Sequence, residues 1–364
     1  MFGRHRSSGF ERAIPLCGYA SHFPALDDPR ALTFEATPDT VWRAPDAVRW
    51  VSKWLPDTKL LALVRDPVER AFSQWRFGRK LVAHSKRPRC AVRRAKLLAL
   101  LDRDPYFAFE GMVDRAIGRQ RLRACGLAPG QVTAVTPTMK SCAKKEKVWK
   151  LWESLMKDRA VFRRVAAAAK ARGRPAPRAR WDVPFFGGGS ADTCKALAEA
   201  GGGDPLRCYV FACSNRVLAD DIIWVGQYSN GLRPWFSAFP REQIYVVRTE
   251  DLETRTKDTV DEVVSFLGLP AADFGQDAFT KRCPVRQGIK VSAVAKARGG
   301  AADNTDGCAS SNRDKRADAA GVARYAGIPG GVRRRLEAHY APFNRELEAL
   351  VDDGRPFWQS SGRK

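Results

Sequence analysis

Lys59-Leu60-Leu61-Ala62-Leu63-Val64-Arg65-Asp66-Pro67-Val68-Glu69-Arg70-Ala71-Phe72-Ser73 is the stretch whose reading decides the fold. Residues 60–64 are a continuous apolar run of five, which reads as a strand buried in a parallel sheet. Asp66 suits a helix N-cap and Pro67 the first helical position, so a helix is predicted from Pro67 to about Val82. Arg65 then stands at the carboxyl end of the strand, where an open α/β sheet binds its ligand. Unpaired backbone N–H groups, the helix dipole and a guanidinium converge on an anion at such a place. Ser73, two helical turns further on, adds a hydroxyl. An ordinary β-loop-α unit with a solvated arginine carries the same local pattern, so the flanking sequence has to separate the two.

Upstream runs Leu32-Thr33-Phe34-Glu35-Ala36-Thr37-Pro38-Asp39, with a short strand candidate over Thr33 to Glu35. Downstream, Gly226-Gln227-Tyr228 leads through Leu232 and Trp235-Phe236 to Phe239-Pro240-Arg241-Glu242-Gln243-Ile244-Tyr245-Val246-Val247. Glu250-Asp251-Leu252 and Val264-Ser265-Phe266-Leu267-Gly268-Leu269-Pro270 follow, reading as a late strand and the helix after it. A closing helix spans Leu336 to Leu350, with Tyr340, Pro342 and Asn344, and Trp358 beyond it. Taken in order, these pieces resemble the sulfotransferases that use 3′-phosphoadenosine 5′-phosphosulfate (PAPS), in particular the Golgi carbohydrate sulfotransferases of the heparan and chondroitin sulfate types. The resemblance covers roughly 32–83 and 205–358.

That resemblance implies an α/β fold: a P-loop-like three-layer arrangement around a central parallel sheet. It implies sulfuryl transfer from PAPS, as co-substrate and without a metal, to a hydroxyl of a carbohydrate acceptor of anionic type, in the Golgi lumen. In the family's motif the arginine and serine hold the 3′-phosphate of the nucleotide, which carries over to Arg65 and Ser73. Arg313, Lys315 and Arg316 follow Cys308 and resemble the basic stretch that contacts nucleotide and acceptor, although the family's glycine there is not matched. Cys283 and Cys308 flank a loop in the region where these enzymes often carry a disulfide. The general base is not identified by the resemblance, and Glu35 is a weak candidate for it beside a role in turn structure.

One family element has no counterpart. A Lys-x-Gly-Thr-Thr-type turn between strand and helix should hold the 5′-phosphosulfate, N-terminal to the segment at Thr33–Pro38. Residues 1–34 contain no such turn, and Glu11 is the only acidic residue before Asp27. The expectation is an N-terminally truncated chain whose sheet lacks its first strand-loop-helix unit. Such a chain would show exposed strand edges and apolar surface, weak nucleotide binding, and little or no activity. The alternative is a non-catalytic, sulfotransferase-like protein that binds polyanions.

Composition agrees with an anionic ligand. The chain has 364 residues, 44% of them apolar, which is enough for one large α/β domain. Its net charge of +23 attracts polyanions. Lys140 to Arg180 holds 14 Lys/Arg against 3 Asp/Glu, close to half of that excess. The organisation reads as an irregular segment 1–31, a sulfotransferase-like domain 32–358 with a basic insertion at about 140–205, and a tail 359–364. Within the insertion Trp149, Trp152, Leu155 and Met156 share helical spacing and read as packing residues on a helix from Lys144 to Lys170, so a nucleic-acid surface is disfavoured. Gly187–Gly189 and Gly201–Gly203 lack the lysine of a phosphate loop and read as loops. Further helices are expected over Ala44 to Leu55, Ala91 to Leu101 and Tyr106 to Arg123.

Nine cysteines are many for a reduced compartment, and the odd number leaves at least one unpaired within a monomer. Besides Cys283 with Cys308, the pairs Cys125 with Cys142 and Cys208 with Cys213 are open. Only four histidines occur and none has metal-site spacing with a cysteine. No stretch approaches the 18 apolar residues of a membrane span, and the N-terminus shows no apolar signal core.

Overall fold

The structure, a computed structural model, describes residues 32–36, 40–41, 44–127, 134–156, 205–214, 221–271, 315–317, 323–325, 327–352, 354 and 357–358. In chain order the elements are α1 (Ala44–Trp54), β1 (Leu60–Val64), α2 (Pro67–Ala83), α3 (Pro88–Ala91), α4 (Arg94–Arg103), α5 (Phe109–Ala124) and α6 (Pro137–Lys145). They continue with α7 (Pro205–Cys213), α8 (Asp221–Trp224), α9 (Tyr228–Ala238), β2 (Ile244–Arg248), α10 (Thr249–Thr254) and α11 (Thr256–Leu267). A short antiparallel pair, β3 (Lys315–Ala317) and β4 (Ala323–Tyr325), precedes the long α12 (Gly330–Val351). The fold is thus mostly helical around a small parallel sheet, consistent with the α/β class expected. The chain divides into two compact units, one of 1–66, 228–328 and 343–358, the other of 67–227, 329–342 and 359–364.

The first unit contains the parallel pair. β1 and β2 run in register from Leu60 opposite Ile244 to Val64 opposite Arg248. Helices α1 and α9 cover one face. Ala47, Val48 and Val51 from α1 and Tyr228, Leu232, Trp235 and Phe239 from α9 form one core with Ala62, Val64, Ile244 and Val246. The i, i+1, i+4 spacing on α1 places those three side chains on one stripe. Leu347, Val351 and Phe357 close the same core. At the far end of α11, Gly268 adopts φ 74° and caps the helix through N–H bonds to Ser265 and Val264 carbonyls; an L side chain would be strained in that conformation.

One expectation fails on β1. A continuous apolar run predicts burial on both faces, yet the strand alternates: Ala62 and Val64 are buried, while Leu61 and Leu63 are 40% and 62% exposed. The physical reason is that α1 and α9 pack on the face carrying Ala62 and Val64, while on the other face α11 covers β2, with Phe266 stacked on Tyr245, and among the described residues Leu61 and Leu63 of β1 stay exposed. The stretch 32–36 is also not the expected strand; it has no regular structure, and Phe34 is 89% exposed. Among the described residues no strand is laddered to it, so sheet pairing does not hold it extended. Glu250-Asp251-Leu252 lies in helix α10, not in a strand.

The second unit is helical. Phe72, Trp75 and Phe109 form an aromatic cluster across α2 and α5, with ring centroids 5.0–5.8 Å apart. Leu97, Phe107 and Met112 are fully buried. Gly226 meets the Tyr340 ring closely enough that an added Cβ would lie 2.8 Å from it, so only glycine fits there. Tyr340 in turn donates its hydroxyl to the Ile223 carbonyl at 2.9 Å.

Two boundaries in this unit differ from expectation. The helix expected from Ala91 to Leu101 is broken into α3 and α4, the first opened by Pro88. The helix expected from Lys144 begins only at 149, because Lys147 takes the left-handed conformation (φ 58°) and Val148 N–H returns to the Ala143 carbonyl. That closes α6, and residues 149–156 form a separate helix with Trp152 buried. The remainder of the expected helix, to Lys170, and both glycine triplets lie outside the described residues.

Disulfides settle part of the cysteine arithmetic. Cys125 pairs with Cys142, as one of the open pairings had it. Cys213 pairs with Cys90 and not with Cys208, because α7 packs beside α2 and α4, the helices that flank Cys90 in sequence. Cys208 is also disulfide-bonded; since the other four described cysteines pair among themselves, its partner lies outside the described residues. Cys283 and Cys308 lie outside them too.

Candidate functional site

The carboxyl end of the parallel pair is a part of the first unit where charged side chains gather. Two residues continue past β1 before the chain enters α2, and both have their backbone N–H held by side chains from distant sequence. The Arg65 N–H donates to the Tyr228 hydroxyl at 3.3 Å. The Asp66 N–H donates to Glu250 Oε1 at 2.7 Å. Tyr228 opens α9 and stacks obliquely near Trp358, while Glu250 lies in the first turn of α10, directly after β2. Both strands therefore deliver their following elements to the same edge of the sheet.

The electrostatics of this edge separate its arginines. Arg248 stands opposite Val64 in the register and forms a two-pronged bond to Asp251, with Nε–Oδ2 and Nη2–Oδ1 both at 2.8 Å. Its guanidinium also lies 5.8 Å over the Phe357 ring. Arg255 reaches the same Asp251 at 3.8 Å and Glu262 at 3.2 Å. These cations are committed to carboxylates. Glu250 keeps its second oxygen buried with no hydrogen-bond partner among the described residues. A carboxylate seated on the Asp66 N–H is physical evidence that the backbone after β1 favours negative charge.

The residues singled out from sequence fall as follows. Arg65 is half-buried at the tip of β1, in the first unit. Ser73 is half-buried in the second turn of α2, in the second unit. Glu35 lies in the exposed irregular stretch 32–36. Lys315 and Arg316 belong to β3, opposite Tyr325 and Arg324 of β4. Arg313 lies outside the described residues. Among the described residues no group of three or more His, Cys, Asp or Glu could hold a metal ion, and no helix is long and apolar enough to cross a membrane.

Sequence reasoning named Arg65 but not the side chains that fix its backbone. Tyr228 and Glu250 were present only as members of matching segments. Their contacts span 163 and 184 residues, and no local pattern encodes them. The second unit holds another feature that was missed. His339 is buried beside Tyr340, with its Nε2 3.1 Å from the Gln227 amide, and its pKa is lowered to about 4 by burial and then by the Arg121 charge. The imidazole is therefore neutral near pH 7.

A parallel pair with a charged carboxyl edge, set among helices, defines the class: an α/β protein. Comparison with known proteins narrows it. Residues 216–297 match the family model of the sulfotransferase domain. That span includes α9, β2, α10 and α11, hence Tyr228 and Glu250, but neither Arg65 nor Ser73. The chain is 35% identical over 81 residues to a protein of the squid Nototodarus sloanii named carbohydrate sulfotransferase 15, covering 22% of this chain and 51% of that one. The chain thus spans about half the length of the curated relative it matches. No solved structure matches. Both matches fall on a part of the chain, and over that part it is similar to sulfotransferases.

Proposed function

We propose that this chain serves to transfer a sulfuryl group from PAPS to a hydroxyl of a carbohydrate acceptor. The observation that supports it most is the Arg65–Asp66 turn at the carboxyl end of β1, braced by Tyr228 and Glu250 from the segment that matches the sulfotransferase domain. On this reading Arg65 and Ser73 hold the 3′-phosphate of the nucleotide, and Arg313, Lys315 and Arg316 reach the nucleotide or the acceptor. One sulfotransferase-like domain then runs over 32–358, with the basic insertion at about 140–205. The acceptor is an anionic glycan and the place of action the Golgi lumen.

The chemistry is an in-line displacement. The acceptor oxygen bonds to sulfur as the bond from sulfur to the donor's phosphate oxygen breaks. The electron pair leaves with 3′,5′-adenosine bisphosphate, and the acceptor proton passes to a carboxylate, for which Glu35 is the candidate. As in phosphoryl transfer, rate comes from positioning and charge stabilisation, and no metal is needed on this reading.

Calorimetric titration with 3′,5′-adenosine bisphosphate tests the site. A charge-assisted contact is worth about 1.5–3 kcal/mol, so Arg65→Ala should weaken binding about tenfold or more. The second reading, a non-catalytic polyanion binder, is favoured by the net charge of +23. It predicts almost no change on Arg65→Ala, because one cation among many matters little to a diffuse field.

A further inference from the structure

The basic excess noted at 140–180 is not the only one. Residues 76–96 carry Arg76, Arg79, Lys80, Lys86, Arg87, Arg89, Arg93, Arg94 and Lys96, and no acidic residue occurs between Arg70 and Leu101. In the structure these residues occupy the end of α2, the short α3 and the start of α4, all in the second unit. Lys80, Lys86, Arg87, Arg89, Arg94 and Lys96 are exposed. We propose that this surface is an anchoring site for an anionic polysaccharide chain, separate from the Arg65 edge; the proposal rests on the sulfotransferase reading.

Three observations carry it. First, five of the cations are in no ion pair among the described residues. Arg79 pairs with Asp102, but no ion pair among the described residues engages Lys80, Lys86, Arg87, Arg94 or Lys96. Second, the arginines are held in place by carbonyls, which order a guanidinium without cancelling its charge. Arg87 donates to the Ala212 carbonyl at 2.9 Å, Arg93 to Arg89 at 3.1 Å and Arg94 to Ser85 at 3.1 Å, with Arg93 also 4.6 Å over the Tyr209 ring. Ordering them in advance lowers the entropy lost on binding. Third, the Cys90–Cys213 disulfide ties α3 to α7, one residue from the Ala212 carbonyl that holds Arg87. The surface is built, not frayed.

The same observations favour a polysaccharide over a nucleic acid. Phe77 is the only Phe, Tyr or Trp within 76–96, so this stretch carries no row of large rings for stacking successive bases. The α3 helix has four residues, with Pro88 the first, and is too short to lie in a groove. A flexible chain recognised by charge alone, bearing sulfates or carboxylates, fits such a surface.

The test uses the full chain and the triple variant Lys80→Gln, Lys86→Gln, Lys96→Gln, whose ammonium groups make no recorded bond within the described fold. Binding of a fluorescent chondroitin sulfate oligosaccharide, of a duplex DNA of equal charge and of 3′,5′-adenosine bisphosphate is measured across salt concentrations. The expected result is a loss of glycan affinity of about tenfold, the size of three exposed ion contacts, with a shallower salt dependence and unchanged nucleotide binding. Unchanged glycan affinity in the variant overturns the anchoring site and leaves the sulfotransferase reading intact. Duplex DNA bound as tightly as the glycan, and lost to the same degree, overturns the choice of partner. Absence of nucleotide binding by the unmodified chain sinks the sulfotransferase reading, and this proposal with it. If the variant unfolds early, Lys86→Gln alone should still give about a twofold loss.

Discussion

The Asp66 N–H donates to Glu250 Oε1 at 2.7 Å across 184 residues of chain. This bond ties the second residue after β1 to the second residue after β2, and it puts a carboxylate where an anionic ligand would otherwise find a donor. Glu250→Gln keeps an oxygen acceptor but removes the negative charge. Its expected effect is little change in stability and unchanged or tighter binding of 3′,5′-adenosine bisphosphate. Glu250→Ala leaves a half-buried N–H without its acceptor, at a cost of about 1–3 kcal/mol. Urea unfolding together with nucleotide titration of both variants checks this. A Gln variant that loses as much stability as the Ala variant would show that the charge, and not the hydrogen bond, braces the turn.

Local patterning made β1 readable to the residue, because an apolar run bounded by a charge and an Asp-Pro step leaves little choice. The same holds for α2, opened by Pro67. What could not be read was anything decided at long range. The exposure of Leu61 and Leu63 depends on which helices reach the sheet, not on the apolar run itself. The break at Lys147 involves a non-glycine residue with positive φ, for which no side-chain signal exists. Cys90 with Cys213 is a pairing across 123 residues, and cysteine spacing does not encode it. At the candidate site the arginine was legible and its braces, Tyr228 and Glu250, were not, for the same reason.

His339 supplies a pH dependence whose sign follows from its surroundings. Burial and the nearby Arg121 lower its pKa to about 4, against 6.5 for an exposed imidazole. The unfolded chain therefore takes up the proton first as pH falls. The contribution to stability is complete above about pH 6.5 and is lost progressively as pH drops towards 4, amounting to on the order of 1–3 kcal/mol. Replacing the ring by His339→Gln should flatten the stability profile between those values. Carboxylates titrate near the lower end in both proteins, so the difference between the two profiles is the readout. Parallel profiles would mean that His339 is protonated without penalty in the folded chain.

The two described disulfides close loops of very different size, with sequence separations of 123 for Cys90–Cys213 and 17 for Cys125–Cys142. Chain entropy predicts a larger loss from opening the longer loop, about 5 kcal/mol against about 3 kcal/mol. The pair Cys90→Ala, Cys213→Ala should therefore lower the urea midpoint more than Cys125→Ala, Cys142→Ala. The reverse order would point to packing in the core of Leu122, Leu127, Ala143, Val148 and Trp152, beside the shorter loop, as the dominant effect.

Glu69 opens α2 almost fully buried, and its carboxylate is held by the Arg333 guanidinium of α12. A buried ion pair is costly to desolvate, so its worth lies in what happens when one half is removed. Arg333→Met strips Glu69 of this cation and should destabilise the second unit by about 3–5 kcal/mol. Restoring neutrality at both ends with Glu69→Leu and Arg333→Met together should recover most of that loss, since apolar pairs of similar volume often match or exceed buried ion pairs. The double-mutant cycle, measured by urea unfolding, isolates the coupling. Additive losses in the cycle would mean that the two side chains act independently, and that other groups around Glu69 carry its charge. A strong coupling would mark the pair as the contact that orients α12 on α2 within the second unit, where α12 also supplies Tyr340 against Gly226.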